Sequence, residues 1–156
     1  MKDQVLRSKR NSDGAVTTFG GLTRPELMSR IRCSGNATTE LKLKNLLRKA
    51  KIKGWRRQLN LFGKPDFGWR FERVAVFVDG CFWHGHGCGK NIIPKRNTEI
   101  WHEKIARNIK RDKTVTRELK KRGWKVVRIW ECSLKQDPES SMRRIKRAIA
   151  KKKSQI

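Results

Sequence analysis

Five consecutive apolar residues, Val74-Ala75-Val76-Phe77-Val78, constrain this chain more than any other feature. A strand with one wet face alternates apolar and polar side chains. A run without alternation needs cover on both faces. The run therefore predicts a central strand in a sheet with helices on either side. It ends in Asp79-Gly80-Cys81, and residues 80–97 then carry Gly80, Gly85, Gly87, Gly89 and Pro94. That stretch reads as a long loop, and loops of that length in compact domains serve function or are stapled.

The flanking segments supply the helices and the remaining strands. Thr23-Arg24-Pro25-Glu26 has the form of a capping box, with a short helix through Met28 and Ile31 and a break at Cys33-Ser34-Gly35-Asn36. A second helix is predicted from about Thr39 to Lys51, its stripe Leu43, Leu46, Leu47 and Ala50. Glu40 falls on the buried side of that helix by phase, and Gly54 ends the unit. Trp55–Leu61 reads as a strand, and Lys64–Trp69 enters another after a turn at Gly63. A long helix runs from about Thr98 to Arg122, closed by Gly123. Its inner stripe is Trp101, Ile105, Asn108, Asp112, Val115 and Leu119, so two polar residues interrupt the apolar face. Trp124–Glu131 is a further strand ending at Cys132, and a basic helix spans roughly Pro138 to Lys151. The order predicts an α/β domain with a mixed sheet.

At 156 residues the chain fits one domain. We divide it into a flexible basic arm at 1–23, a domain at 24–136 and a basic C-terminal helix and tail at 137–156. Lys and Arg number 40 against 14 Asp and Glu, a formal net charge of +26. Such an excess repels itself unless a polyanion neutralises it, so nucleic acid is the expected partner. A basic nucleic-acid-binding protein without chemistry has the same charge. No apolar stretch is long enough to span a membrane, and no secretory signal follows the first residues. The expectation is a cytoplasmic, nucleoid-associated protein with no membrane partner.

Cys81, His86 and Cys88 put three zinc-type ligands within eight residues, and Cys132 ends a later strand of the same sheet. Cys3His is a closed tetrahedral set for structural zinc. His84 lies two residues before His86, and local spacing does not say which of the two binds the metal. Cys33 is left as a free thiol, and His102 falls on the exposed side of its helix.

Acids are scarce, so those inside the fold stand out. Asp66 follows Pro65 at a strand entry and Asp79 ends the central strand. Hairpin neighbours would bring the two carboxylates near each other, an oxygen site for Mg²⁺. His84 could serve there as general base toward an attacking water. Asp112 on the inner face of the long helix needs a partner. That partner is either His84, oriented by the carboxylate, or one of the many Arg and Lys residues. Phe82-Trp83 between the metal ligands is either a core pair or a wedge for insertion between base pairs.

At Gly80-Cys81-Phe82-Trp83-His84-Gly85-His86-Gly87-Cys88 the chain resembles the very short patch repair (Vsr) DNA mismatch endonucleases. The likeness extends through Met28-Ser29-Arg30-Ile31-Arg32, Thr38-Thr39-Glu40, Gly63-Lys64-Pro65-Asp66, Val76–Asp79, Asn97–Trp101, Lys104-Ile105, Asn108, Arg111-Asp112, Gly123-Trp124 and Trp130-Glu131-Cys132. It covers about residues 24–135. It implies a restriction-endonuclease-like fold, a mixed sheet flanked by helices, with a structural zinc. It implies a DNA repair enzyme that nicks one strand 5′ to the thymine of a T:G mismatch, the damage left by deaminated 5-methylcytosine. Mg²⁺ is the implied catalytic cofactor, held by Asp66 and the carbonyl of Val78. The resemblance gives His84 the catalytic place, Asp112 its carboxylate partner and Glu40 the N-terminal active-site acid. Cys81, His86, Cys88 and Cys132 match the zinc set. Phe82 and Trp83 match the wedge beside the mismatch, with Met28 near an apolar helper. Implied partners are mismatched double-stranded DNA and a functional link to a cytosine methyltransferase and mismatch-repair proteins, the enzyme acting as a monomer.

Two departures from the family pattern stand out. One extra residue separates the Met28 and Glu40 motifs. Val78-Asp79 stands where the best-known pattern has Thr-His. A backbone carbonyl survives the first change; the side-chain role of the His does not survive the second. Asp79 is thereby a candidate catalytic acid and Mg²⁺ ligand, and strict mismatch preference becomes the open point. The alternatives are a restriction-like or mobile-element endonuclease without mismatch specificity, and a non-catalytic zinc-containing nucleic-acid-binding protein.

Overall fold

In the computed structural model the described residues are 39–89, 93 and 98–150, all within the unit Asn36–Ile156. The arm at 1–23, the capping box, Met28, Cys33 and the last six residues lie outside them.

Four strands and four helices make up the described part. Helix α1 is Glu40–Lys49; strands β1, β2 and β3 are Trp55–Arg57, Phe67–Trp69 and Val74–Asp79. Helix α2 is Thr98–Lys121, β4 is Lys125–Trp130, and α3 and α4 are Glu131–Gln136 and Pro138–Ala150. The sheet order is β1-β2-β3-β4, antiparallel at the first two pairings and parallel between β3 and β4. This is the expected mixed sheet flanked by helices. Helix α2 makes the crossover that a parallel pair requires.

The central run behaves as its composition demands: every residue of Val74–Asp79 is buried. Alternation divides its side chains between two layers. Val74, Val76 and Val78 join Leu43 and Leu47 of α1, Val127 and Ile129 of β4, and Leu134, Met142 and Ile145 of α3 and α4. Ala75 and Phe77 point the other way, to Val115 and Leu119 of α2. The basic helix assigned to the 137–156 tail therefore contributes its apolar stripe to the main core over Pro138–Ala150.

Three boundaries differ from the sequence expectation. The strand predicted to Leu61 ends at Arg57, because Gln58 takes φ +49° and turns the chain, its N–H donating to the Asp66 carbonyl at 3.1 Å. Ala50, assigned to the α1 stripe, is exposed beyond the helix end. Cys132 does not end a strand; it is buried in the first turn of α3, which six residues without apolar periodicity did not announce. The long helix closes as expected at Gly123, whose φ is +77°.

Candidate active site

Three backbone features bring the acids together. Asp66 enters β2 beside the end of β3, and its Oδ2 accepts from the Val78 N–H at 2.7 Å. Glu40, in the first turn of α1, is buried and pairs with Arg57 of β1 at 2.6 Å. Asp79, the last residue of β3, faces α2. Burial pushes the Asp66 carboxyl up to about 6. The Val78 N–H opposes that rise, the charges of Glu40 and Asp79 add to it, and His84 opposes it. Asp66 thus shares one electrostatic environment with Glu40, Asp79 and His84.

His84 is fixed by the loop that follows β3. Its Nδ1 lies 2.5 Å from Asp112 Oδ2 and 3.7 Å from Asp79 Oδ1. Burial alone would raise the Asp112 carboxyl, but the hydrogen bond with His84 and the Arg128 charge outweigh it and hold it below the ordinary range. Both alternatives for Asp112 are realised together, since Arg128 Nη2 reaches its Oδ1 at 2.9 Å. Both Asp79 oxygens accept from Arg128, at 2.6 and 2.9 Å. The expected role of Asp79 as a metal ligand therefore meets a competitor. Asp79, His84 and Asp112 do offer three donor atoms within 4.8 Å of one another. A guanidinium against both acids already supplies the positive charge that a cation would bring.

The interrupted face of α2 now has a purpose. Its C-terminal half packs on the sheet through Val115 and Leu119, whereas its N-terminal half covers the 80–89 loop. Asn108 Nδ2 donates to the Trp83 carbonyl at 2.8 Å. Gly85 has φ +65°, and a Cβ there would sit 2.7 Å from Ile109 Cδ1 and 3.1 Å from Ile105 Cγ2. The positive φ favours glycine at this turn, and an added side chain would also press on Ile105 and Ile109 of the helix.

Cys81, His86, Cys88 and Cys132 form a second cluster, their ligand atoms all within 4.8 Å of one another. Cys132 Sγ is 3.4 Å from His86 Nδ1, and the His86 ring stacks on Trp130 with centroids 4.2 Å apart. Three sulfurs and one imidazole at these separations could hold a metal ion, and the set fits the softer-ligand chemistry of zinc. Here His86 joins the sulfurs and His84 joins the acids. Burial pushes the Cys81 thiol up to about 12, so among thiols alone the thiolate is strongly disfavoured.

Phe82 and Trp83 are half-buried and edge-on to each other, with centroids 5.0 Å apart. Trp101 of α2, read from the sequence only as a core position, completes the group at 5.6 and 5.8 Å. Lys104 Nζ stands 4.9 Å over the Trp83 ring. A groove of about 720 Å³ opens beside His84 and Asp112, with Lys113, Arg117, Lys120 and Lys121 along it. Sequence reasoning also missed Arg57 and Arg128. Arg128 had left a signal: alternation in Lys125–Trp130 turns it to the same side as Val126, inward toward α2.

Comparison with known proteins gives the chain a family. Residues 18–90 match the family described as DNA mismatch endonuclease Vsr. The Type II nicking enzyme V.XorIIP of Xanthomonas oryzae pv. oryzae is 36% identical over 108 residues, 69% of this chain and 79% of that protein. The Type II nicking enzyme V.NmeAIP of Neisseria meningitidis serogroup A is 51% identical over 73 residues, 47% of this chain and 52% of that protein. DNA mismatch endonuclease Vsr of Escherichia coli K12 is 42% identical over 76 residues, 49% of each chain. The last two matches span about half the length of those relatives. The chain belongs to the DNA mismatch endonuclease Vsr family. No helix among the described residues is long and apolar enough to cross a membrane.

Proposed function

We propose that the protein is a Mg²⁺-dependent DNA endonuclease that nicks one strand of a duplex 5′ to the T of a T:G mismatch, and that its Cys/His cluster holds a structural zinc. The observation that carries this reading is the convergence of Asp66, Glu40 and the His84–Asp112 pair at one end of the sheet, in a chain of net charge +26. Relatives named as nicking enzymes and as a mismatch endonuclease support it.

The Asp66 carboxylate and the Val78 carbonyl are the oxygen donors assigned to Mg²⁺, a hard cation suited to such ligands. The fit rests on the Asp66 carboxyl, which burial raises first and the charges of Glu40 and Asp79 raise further, a cost that a divalent cation beside it would relieve. When bound, such an ion polarises a phosphoryl oxygen and makes bound water more acidic. Asp79 would join as a ligand in competition with the Arg128 guanidinium that bonds both its oxygens. Glu40 is anchored by Arg57 at 2.6 Å, and its charge bears on the Asp66 carboxyl.

His84 acts as the general base. With Nδ1–H donated to Asp112, its Nε2 is left without a proton and accepts one from the attacking water. The water oxygen bonds to phosphorus while the bond to the departing sugar oxygen breaks, and solvent protonates that oxygen. Phe82, Trp83 and Trp101 form the apolar wedge against the base stack, worth about 1–3 kcal/mol per base stacked. The basic groove beside His84 attracts phosphates through the chain's charge.

The deciding experiment is nicking of matched T:A and mismatched T:G duplexes with Mg²⁺, using wild type and Asp66→Ala. The expected result is preferential nicking of T:G by wild type, and retained binding without cleavage by the variant. Equal rates on both duplexes would remove the mismatch assignment. No cleavage of any duplex would remove the enzyme.

A further inference from the structure

Arg128 stands in the middle of β4, level with Phe77 in the parallel register. Val127 and Ile129 on either side enter the core shared with α1 and α4. Alternation therefore turns Arg128 toward α2, into a partly buried place where an unpartnered guanidinium would be costly. It is not unpartnered. Nε donates to Asp79 Oδ2 at 2.6 Å and Nη2 to Asp79 Oδ1 at 2.9 Å. Nη2 also reaches Asp112 Oδ1 at 2.9 Å, while Nη1 reaches the Asp112 carbonyl at 3.2 Å and Thr116 Oγ1 at 3.4 Å. The Phe77 ring lies 5.0 Å from the guanidinium carbon.

Five N–H donors thus have five partners within the fold. No donor remains for a DNA phosphate, so the residue does not work by direct contact with substrate. Its geometry bears instead on His84. Two carboxylates lie within reach of His84 Nδ1: Asp112 at 2.5 Å and Asp79 at 3.7 Å. Arg128 occupies both oxygens of Asp79, and only Oδ1 of Asp112. Asp112 Oδ2 is the oxygen left for His84, and the competing acid is held back.

We propose that Arg128 is a positioning residue: it clamps Asp79 and Asp112 so that His84 Nδ1 pairs with Asp112 alone, which aims Nε2 at the substrate. The proposal rests on the reading of His84 as the base. It requires a planar fork that can bridge two carboxylates, which a lysine ammonium does not provide.

The test compares wild type, Arg128→Met, Arg128→Lys, Asp79→Asn and the Asp79→Asn/Arg128→Met double variant in the full chain. Steady-state nicking of a T:G duplex with Mg²⁺ is read beside the nitrogen chemical shifts of the His84 ring. Loss of an outer partner of this kind typically lowers activity about 10–100-fold, so Arg128→Met should lose that much in kcat. Its KM for DNA should stay near the wild-type value. Arg128→Lys should not restore kcat. The double variant should regain a large part of it, because the competing carboxylate is gone. The His84 ring should be Nδ1-protonated in wild type and lose that single form in Arg128→Met.

An unchanged kcat, a loss confined to KM, or an unchanged His84 spectrum would overturn the proposal. If Arg128→Met does not fold, Arg128→Lys and the double variant decide: wild-type kcat in Arg128→Lys sinks the clamp. If wild type nicks nothing but the His84 spectrum changes as described, the clamp stands and the endonuclease reading fails.

Discussion

Replacing Asp66 by Asn should make the metal-free protein more stable at neutral pH while abolishing cleavage. The carboxyl is raised from 3.8 to about 6, with burial the largest cause. At 1.36 kcal/mol per pH unit, keeping it ionised in the fold costs roughly 3 kcal/mol at pH 7 and above. Asparagine fills the same volume and its carbonyl oxygen can still accept from the Val78 N–H, so the variant escapes that cost. The sign follows from linkage. Between 3.8 and about 6 the folded protein holds a proton that the unfolded chain releases. Wild-type stability at this site is therefore full below that window and lost as pH rises through about 6. The advantage of Asp66→Asn should be near zero at about pH 4 and approach ~3 kcal/mol at about pH 8. In a domain of this size that corresponds to roughly 6–12 °C in Tm. Thermal unfolding of both proteins across that range, after dialysis against EDTA with zinc restored, measures it. Millimolar Mg²⁺ should narrow the gap by stabilising wild type alone. A variant less stable than wild type at pH 8, or a gap independent of pH, would refute the electrostatic account of Asp66.

Other outcomes follow from the same geometry. The Cys/His cluster should bind zinc at one ion per chain by elemental analysis; Cys88→Ser should abolish that occupancy and lower Tm, and loading the metal-free protein should release protons into a weakly buffered solution. Gly85→Ala, strained by its φ of +65° and by contact with Ile109, should lose about 1–2 kcal/mol in denaturant unfolding, with kcat falling because His84 moves. Trp83→Ala should weaken binding to a mismatched duplex by about 1–3 kcal/mol in a fluorescence titration while leaving zinc content unchanged.

Much of the site was legible because polar residues in apolar patterns need reasons. Glu40 sits in phase with Leu43 and Leu47, and it is buried with them. Asp112 interrupts the α2 stripe at the point where it meets His84. The run Val74–Val78 announced a strand covered on both faces, and the structure covers it. What stayed hidden depends on register and distance. Nothing local says that β4 lies parallel to β3 with Arg128 opposite Phe77, so the link from Arg128 to Asp79 could not be read. The Asp79 that departs from the family's usual Thr-His pattern comes with its own counter-charge 49 residues away. Trp101 had the phase of a core residue, and its place against Phe82 and Trp83 required the fold of the loop. Helix α3 is too short for periodicity to reveal.

The four metal donors are unevenly spread along the chain. Cys81, His86 and Cys88 are neighbours in sequence, but Cys132 joins Cys81 across 51 positions. Those two cysteines follow the ends of adjacent parallel strands, so the ring closes only when β4 has docked beside β3. A chain emerging from the ribosome carries His84 long before it carries Cys132. Until the fourth donor arrives, the loop that carries His84 has only part of its fastening. The four donors therefore come together only after the last sheet strand is in place.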